Sequence, residues 1–265
     1  MISCMSFNVL GCETKGYEPR VVRGPHLPEL ILEHNTDLVG VQEANSGNKT
    51  YDFCDALVYP LCVAGPYACS QLRHQAGFQE KVGRQPNGAG LIIFYKKDRF
   101  ELLAEGAHKY TSTERQVRYF QWVRLLDKES GKEVVMTNTH WSINWDEEGN
   151  ISAEAGDKHR TKQAHEILAF WKGNADDAVL FATGDYNCRE DSKWYKIAAA
   201  DKFKGAQEVI VPAVESMRDV DQCFVNSETV TVERFEFIDA MVEEGDRTFR
   251  YSDHRPLIVE VTPKE

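Results

Sequence analysis

The sequence has no apolar run approaching the roughly 18 residues that a membrane-spanning helix requires. Its start, from Met1 to Asn8, also lacks the basic segment and the apolar segment of a signal peptide. These absences predict a protein without a membrane span and favour a cytoplasmic location. A secreted protein whose signal peptide had been removed would begin in the same way, so secretion remains an alternative.

Cysteine motifs and excess positive charge are absent too. The seven cysteines form no Cys-x-x-Cys pair, so a thiolate zinc site is not expected and scattered thiols in a reducing compartment are favoured. The chain has 31 Lys and Arg against 42 Asp and Glu, a formal net charge of −11 at pH 7. Such a negative net charge is not typical of a protein that binds duplex DNA. Without repeats or low-complexity segments, the chain is predicted to form one layered α/β domain over residues 1–265.

Polar side chains follow several short apolar runs that are typical of buried strands. Four such runs end at Asn8, Glu43, His140 and Asp185, and Asn187 follows the last of them closely. A single polar residue at a strand end is usually only solvated or part of a turn. Four in one chain favour a site instead, because α/β sheets bind ligands at the carboxyl ends of their strands.

The last third of the chain contributes further candidates. Residues 229–242 are predicted to form one strand, with Asp239 in the middle of an apolar run. A buried acid needs a partner, and His254 in the following Ser-Asp-His segment is the predicted one, with Asp253 beside it. Residues 201–228 show no informative pattern.

Carboxylates, amides and histidines in this number suit hydrolysis of a phosphate ester. Oxygen ligands favour Mg²⁺ or Mn²⁺ over zinc. A bound cation neutralises charge on the phosphate, and a histidine oriented by an aspartate can transfer protons. Amides can hold the remaining phosphate oxygens.

This set of segments, in this order, closely resembles the endonuclease/exonuclease/phosphatase superfamily. The resemblance spans nearly the whole chain. Leu10 and His140 stand where apurinic-endonuclease members carry an acid and a tyrosine, which fits the deadenylase-like and general bacterial branches better. The matching segments are Ser6-Phe7-Asn8-Val9-Leu10, Val41-Gln42-Glu43, Asn138-Thr139-His140, Gly184-Asp185-Tyr186-Asn187, Ile238-Asp239 and Ser252-Asp253-His254-Arg255-Pro256, with minor matches at Arg118 and at Arg160-x-x-Gln163-Ala164.

The resemblance implies a four-layer α/β sandwich, in which two mostly antiparallel β-sheets pack face to face with helices outside. It also implies a role for each candidate residue. Glu43 would hold the cation with support from Asn8 and with Asp253 nearby, Asp185 would position or activate water, Asn187 and His140 would contact the scissile phosphate, and Asp239 would orient His254.

The substrate remains open between two versions of a metal-dependent phosphoesterase. One is a phosphatase or phosphodiesterase acting on a small or lipid-derived phosphate, and the other is a nuclease acting on DNA or RNA, in particular on single strands. A binding protein that has lost catalysis is less expected, because Glu43, Asp185 and His254 are all present. No protein partner is predicted. Candidate substrate contacts are Arg118, Arg160 and Trp141. For single strands, the alternative is a basic and aromatic rim formed by Arg73, Lys81, Arg84, Trp141 and Trp145.

Overall fold

Two β-sheets of six strands each form the centre of the protein. The computed structural model describes residues 1–44, 53–71, 90–111, 117–144, 150–210 and 219–265. The strands are β1 (Ile2–Asn8), β2 (Leu38–Gln42), β3 (Tyr67–Gln71), β4 (Ile92–Lys96), β5 (Phe100–Lys109), β6 (Tyr119–Asp127), β7 (Glu133–His140), β8 (Val179–Asp185), β9 (Phe203–Gly205), β10 (Asp221–Asn226), β11 (Val230–Phe237), β12 (Met241–Glu244), β13 (Arg247–Arg250) and β14 (Leu257–Pro263). The helices are α1 (Arg20–Arg23), α2 (Leu27–His34), α3 (Phe53–Val58), α4 (Ala153–Asn174), α5 (Lys193–Ala198) and α6 (Ala206–Val209).

Each sheet contains one parallel pair among antiparallel ones. The first sheet has the order β11-β14-β1-β2-β4-β3, with β1 parallel to β2. The second has the order β5-β6-β7-β8-β10-β9, with β7 parallel to β8. Parallel neighbours end at the same edge of a sheet, and His140 is therefore opposite Asp185 while Asn8 is opposite Gln42. The mostly antiparallel character predicted from the resemblance is confirmed.

The four-layer packing is confirmed as well. One apolar cluster lies between the sheets and includes Met136, Phe181 and Val259. A second cluster lies where α4 covers the outer face of the second sheet, and a third lies where α2 and α3 cover the first. Among the described residues, no helix is long and apolar enough to cross a membrane.

A polar joint connects the two sheets beneath the predicted site. Gln42 donates from Nε2 to Asn138 Oδ1 at 2.7 Å, and Asn138 donates from Nδ2 to the Val41 carbonyl at 2.8 Å. Gly40 makes this close approach possible, because a Cβ there would lie 2.2 Å from Thr183 Oγ1. Because Glu43 follows Gln42 and His140 lies two residues after Asn138, these hydrogen bonds fix the positions of Glu43 and His140 relative to each other.

Helix α4 begins after a capping serine and packs on the outer face of the second sheet. The Ser152 side chain accepts a hydrogen bond from Ala155 N, which satisfies one of the free N–H groups of the first turn. The buried face of α4 begins with Gly156 and includes His159, Arg160 and Gln163 before it becomes apolar.

The prediction of one continuous strand over 229–242 is wrong. Strand β11 ends at Phe237, where Ile238 N donates to the Pro256 carbonyl, and the chain then leaves the sheet to form the separate β12–β13 hairpin. Asp239 lies in this connection rather than inside a strand. The segment 201–228, which carried no clear pattern, contains β10, which lies between β8 and β9 in the second sheet.

Candidate active site

Asn8 joins the two sheets at the edge where β1 and β8 end. Its Nδ2 donates to Glu43 Oε1 at 3.2 Å and to Asp185 Oδ2 at 3.0 Å, while its Oδ1 accepts from Leu10 N. Glu43 is held at its other oxygen by Gly11 N at 2.9 Å. Asn8 therefore turns its amide nitrogen, not its oxygen, toward the carboxylates and orients them.

The backbone is strained at three positions of this edge. Leu10, Glu43 and Asn187 have φ values of 54°, 61° and 48°, in the left-handed region that non-glycine residues rarely adopt. Such strain costs about 1–3 kcal/mol per residue and persists where surrounding contacts enforce it. The three strained positions closely follow the ends of β1, β2 and β8.

Asn187 is fixed through both its backbone and its side chain. Its N–H donates to Asp185 Oδ1 at 3.0 Å, and its Nδ2 donates to the Trp141 carbonyl at 3.0 Å. An amide nitrogen carries two hydrogens. One is used by Trp141, and the other remains to donate to a bound anion.

Asp221 is the partner of His254, so the prediction that Asp239 orients this histidine is wrong. His254 Nδ1 lies 2.6 Å from Asp221 Oδ2. Asp239 is exposed and lies 3.5 Å from Arg250 instead. Asp221 opens β10 directly opposite Asp185 on β8. The sequence signal for Asp221 is an acid directly before the run Gln222-Cys223-Phe224-Val225.

The histidines and carboxylates surround a common space. His254 Nε2 lies 3.8 Å from Asp185 Oδ2 and 3.9 Å from Asp253 Oδ1. His140 Nε2 lies 3.5 Å from Asp185 Oδ2, and His140 Nδ1 lies 4.0 Å from Glu43 Oε1. These separations are longer than normal hydrogen bonds. The Nε2 atoms of both rings therefore face Asp185 Oδ2 without a normal hydrogen bond to it.

The two histidines are in different charge states. Burial lowers the pKa of His140 well below its ordinary value, and the charges of Arg118 and His254 lower it further. Burial also opposes protonation of His254, but Asp221, Asp185 and Asp253 outweigh it and raise its pKa. At neutral pH the site thus pairs a neutral His140 with a charged His254.

The aspartates are affected by burial in the opposite direction. Burial raises the pKa of Asp185, and the Glu43 charge adds to this effect, although His254, Asn187 and Asn8 oppose it. Burial likewise raises the pKa of Asp221 against the opposing effect of His254. Burial therefore disfavours the charged form of both carboxylates, and a positive charge bound beside them would favour it.

Two of the predicted substrate contacts are not on the surface of the site. The Trp141 ring is fully buried and donates to the Tyr110 hydroxyl at 2.9 Å, so its predicted contact with substrate is wrong. Arg160 is also buried and binds the loop after β7, which contradicts its predicted substrate contact. Arg118 is buried near His140, and its role stays a prediction. Trp145, Arg73, Lys81 and Arg84 lie outside the described residues.

The donor set fits a hard divalent cation. Glu43, Asp185 and Asp253 offer carboxylate oxygens around the common space, the ligand type that Mg²⁺ and Mn²⁺ prefer. Within the described part of the chain, the buried His140 Nδ1 and Asp221 Oδ1 have no hydrogen-bond partner. Asp185, Asp221 and His254 also bring ligand atoms within 4.8 Å of one another.

Face-to-face sheets with this constellation at one edge define a phosphoester hydrolase. The sequence model described as the endonuclease/exonuclease/phosphatase family matches residues 5–254. The chain belongs to this family. No curated protein sequence matches the chain.

Solved structures share the fold at low sequence identity. The Bacteroides thetaiotaomicron mannosyl-6-phosphatase is 18% identical, with a TM-score of 0.71 over 99% of this chain and 100% of that one. The human Nocturnin catalytic domain with bound sulfate is 17% identical, with a TM-score of 0.73 over 99% and 93%. D. rerio TDP2 in complex with a single-strand DNA product is 19% identical, with a TM-score of 0.70 over 98% of each chain.

Proposed function

We propose that this protein is a divalent-cation-dependent phosphoesterase that acts on a small or short phosphate ester. The observation that carries the proposal is the His254 imidazole, held by Asp221 at 2.6 Å with its Nε2 facing Asp185 and Asp253. A charged imidazole in this position can stabilise a phosphate oxygen as negative charge builds on it.

Each of the surrounding residues would have a separate role in hydrolysis. Asp185 would hold and orient the attacking water, since its Oδ2 faces the common space while its Oδ1 is engaged by Asn187 N. The free N–H of the Asn187 amide and the neutral His140 ring would contact the phosphate. A cation held by Glu43 and Asp253, with Asn8 orienting Glu43, would supply charge neutralisation.

The buried positions of two predicted substrate contacts, Trp141 and Arg160, support a small substrate. A single-strand nuclease stacks bases on exposed aromatic rings along a basic groove. Trp141 and Arg160 do not serve such a groove, because both side chains are buried. One of the similar structures is named a mannosyl-6-phosphatase, and this name supports a sugar phosphate as a candidate substrate. The complex of TDP2 with single-strand DNA keeps the nuclease alternative worth testing.

The proposal is tested by assaying purified protein after treatment with EDTA and readdition of Mg²⁺ or Mn²⁺. Substrates should include bis-p-nitrophenyl phosphate, sugar 6-phosphates, single-stranded oligonucleotides and duplex DNA. We expect activity that depends on the cation, and Glu43→Gln should lose both activity and cation affinity measured by calorimetry. Asp98→Asn, which changes an exposed acid, serves as the control. Full activity in EDTA, or unchanged cation affinity in Glu43→Gln, would contradict the proposed cation site.

A further inference from the structure

Two side chains of α4 form hydrogen bonds with the N–H, the carbonyl and the hydroxyl of Ser142. Its N–H donates to Gln163 Oε1 at 3.1 Å, its carbonyl accepts from Arg160 Nη1 at 2.7 Å, and its Oγ accepts from Gln163 Nε2 at 2.9 Å. All three residues are buried. We call Arg160, Gln163 and Ser142 the helix clamp.

The clamp extends to Asn144 and to the start of α5. Arg160 Nη2 donates to Asn144 Oδ1 at 2.5 Å, and its guanidinium lies 4.3 Å from the ring centre of Trp194. Gly156 lets the loop approach the helix, because a Cβ there would lie 2.4 Å from Asn144 Oδ1. The guanidinium is thus fixed on both its edge and its face, which a lysine could not reproduce.

Only one residue separates this clamp from the site. Trp141 precedes Ser142, and its N–H donates to the Asp185 carbonyl at 2.9 Å while its carbonyl holds the Asn187 amide. His140 precedes Trp141. A displacement of Ser142 would therefore be passed to the Trp141 carbonyl and would rotate the Asn187 amide away from its position.

We propose that Arg160 and Gln163 are positioning residues that act through Ser142 and Trp141 to fix the Asn187 amide against the scissile phosphate. This inference rests on the proposed phosphoesterase function. It gives a reason for the buried guanidinium and amide on α4 and for the buried Ser142 hydroxyl that they hold. Neither residue touches substrate, so neither is a catalytic residue.

The test is a double-mutant cycle between Arg160→Met and Asn187→Ala. Methionine keeps much of the apolar bulk of the side chain and removes the donors. We expect kcat to fall by about 100-fold in Arg160→Met, because small misplacements of a reacting group cost rates of that order. KM and cation affinity should change little. Since both changes disable the same contact, the double variant should be no slower than Asn187→Ala alone.

Arg124→Met is the matched control. Arg124 also joins the second sheet to α4, donating from Nη2 to the Asn174 carbonyl at 2.6 Å, but it does so at the opposite end of the helix. It should leave kcat unchanged. Additive losses in the double variant, or an unchanged kcat in stably folded Arg160→Met, would overturn the proposal. If Arg160→Met does not fold, Gln163→Met tests the same cycle through the other half of the clamp.

A second readout does not depend on hydrolysis. The Asn187 side-chain N–H signals, assigned by NMR through Asn187→Asp, should exchange slowly with solvent in the unmodified protein and faster in Arg160→Met. Loss of this protection with no hydrolysis in any assay would uphold the clamp and refute the proposed function. Retained protection in both clamp variants would refute the clamp alone.

Discussion

At the scale of single residues, the 2.6 Å contact between Asp221 and His254 decides how the site can work. The carboxylate engages Nδ1 and leaves Nε2 to face the common space. Because Asp221 is buried on β10 and His254 lies on the loop before β14, the pair forms only when the second sheet packs on the first. The ring orientation therefore depends on the packing of the whole sandwich.

The two aspartates considered for this role allow a direct comparison. Asp221→Asn should lower kcat by about 100-fold or more, since proton transfer and charge stabilisation by a positioned histidine contribute on the order of 10²–10⁴-fold. Asp239→Asn should leave kcat within about twofold, because Asp239 is exposed and faces Arg250. The measurement is kcat at saturating substrate for both variants. A larger loss from Asp239→Asn would show that the exposed acid moves into the site in solution.

At the scale of strands and helices, the polar joint between β2, β7 and β8 sets the spacing of the sheets. A methyl group at Gly40 would meet Thr183 Oγ1 at 2.2 Å, Asn138 Oδ1 at 2.9 Å and Met136 Cε at 3.0 Å. None of these atoms can move far, because they lie between two sheets in a filled core. Gly40 is required for close approach rather than for backbone freedom.

Gly40→Ala should therefore reduce the free energy of unfolding by about 1–3 kcal/mol, the usual cost of overpacking. Adding Thr183→Ala should recover part of the loss, because it removes the nearest atom. Gly173→Ala in α4 is the control, since nothing lies within 4 Å of its added Cβ. It should stabilise the protein by about 0.5–1 kcal/mol. Urea unfolding measures the stability of all three variants, and an undisturbed stability in Gly40→Ala would show that the sheets can separate.

The strand ends could be predicted from the sequence because each carries a local signal, an apolar run followed by a polar residue. Asn8, Glu43, His140 and Asp185 were found in this way, and the structure places them within one edge. The Asp221 partner could not be found in the same way. Strand β10 is buried on both faces and begins rather than ends with its functional residue, so neither alternation nor position distinguished it.

The two buried residues that were predicted as substrate contacts failed for a related reason. A sequence shows that Trp141 and Arg160 lie next to site segments, but not which side of the backbone they face. Trp141 points into the cluster beneath α4, and Arg160 points toward the loop it binds. Such orientation depends on tertiary packing, which no short motif encodes.

At the scale of the whole molecule, an ionic network ties the sheets together at the end away from the site. Arg99 donates to both Asp127 oxygens, at 2.9 and 3.1 Å, and to Asp37 Oδ2 at 3.0 Å. Asp127 lies on β6 of the second sheet, and Asp37 precedes β2 of the first. Asp37 also accepts hydrogen bonds from Ser3 N and Oγ at the start of β1.

This network should make stability sensitive to acid. Burial alone would raise the pKa of Asp37, but hydrogen bonds from Ser3 and the Arg99 charge outweigh it and leave the pKa below its ordinary value. A lowered folded-state pKa gives stability that is present above the unfolded pKa, about 3.9, and is lost as pH falls through the folded value.

Asp37→Asn should accordingly cost about 1–3 kcal/mol of unfolding free energy at pH 7, and the difference from the unmodified protein should shrink as the pH falls below 4. Asp98→Asn, an exposed acid one residue from Arg99, should show neither effect. Urea titrations at pH 7 and pH 3.5 provide the measurement. An equal loss at both pH values would mean that Asp37 contributes through packing and not through its charge.

The overall charge of −11 sets the last prediction, which concerns the class of substrate. A protein that binds many phosphates releases counterions, so its affinity falls steeply with salt. The residues proposed here to contact phosphate, Asn187, His140 and His254, converge on a space that suits one phosphate group. We therefore expect small phosphodiesters or sugar phosphates to be cleaved at least as efficiently as long duplex DNA. KM for the best substrate should change only weakly between low and physiological salt.

The assay measures kcat/KM for a small phosphodiester, a single-stranded oligonucleotide and duplex DNA at both salt concentrations. A strong preference for duplex DNA, with KM rising by orders of magnitude at the higher salt, would require an extended basic surface in the part of the chain that the described residues do not include.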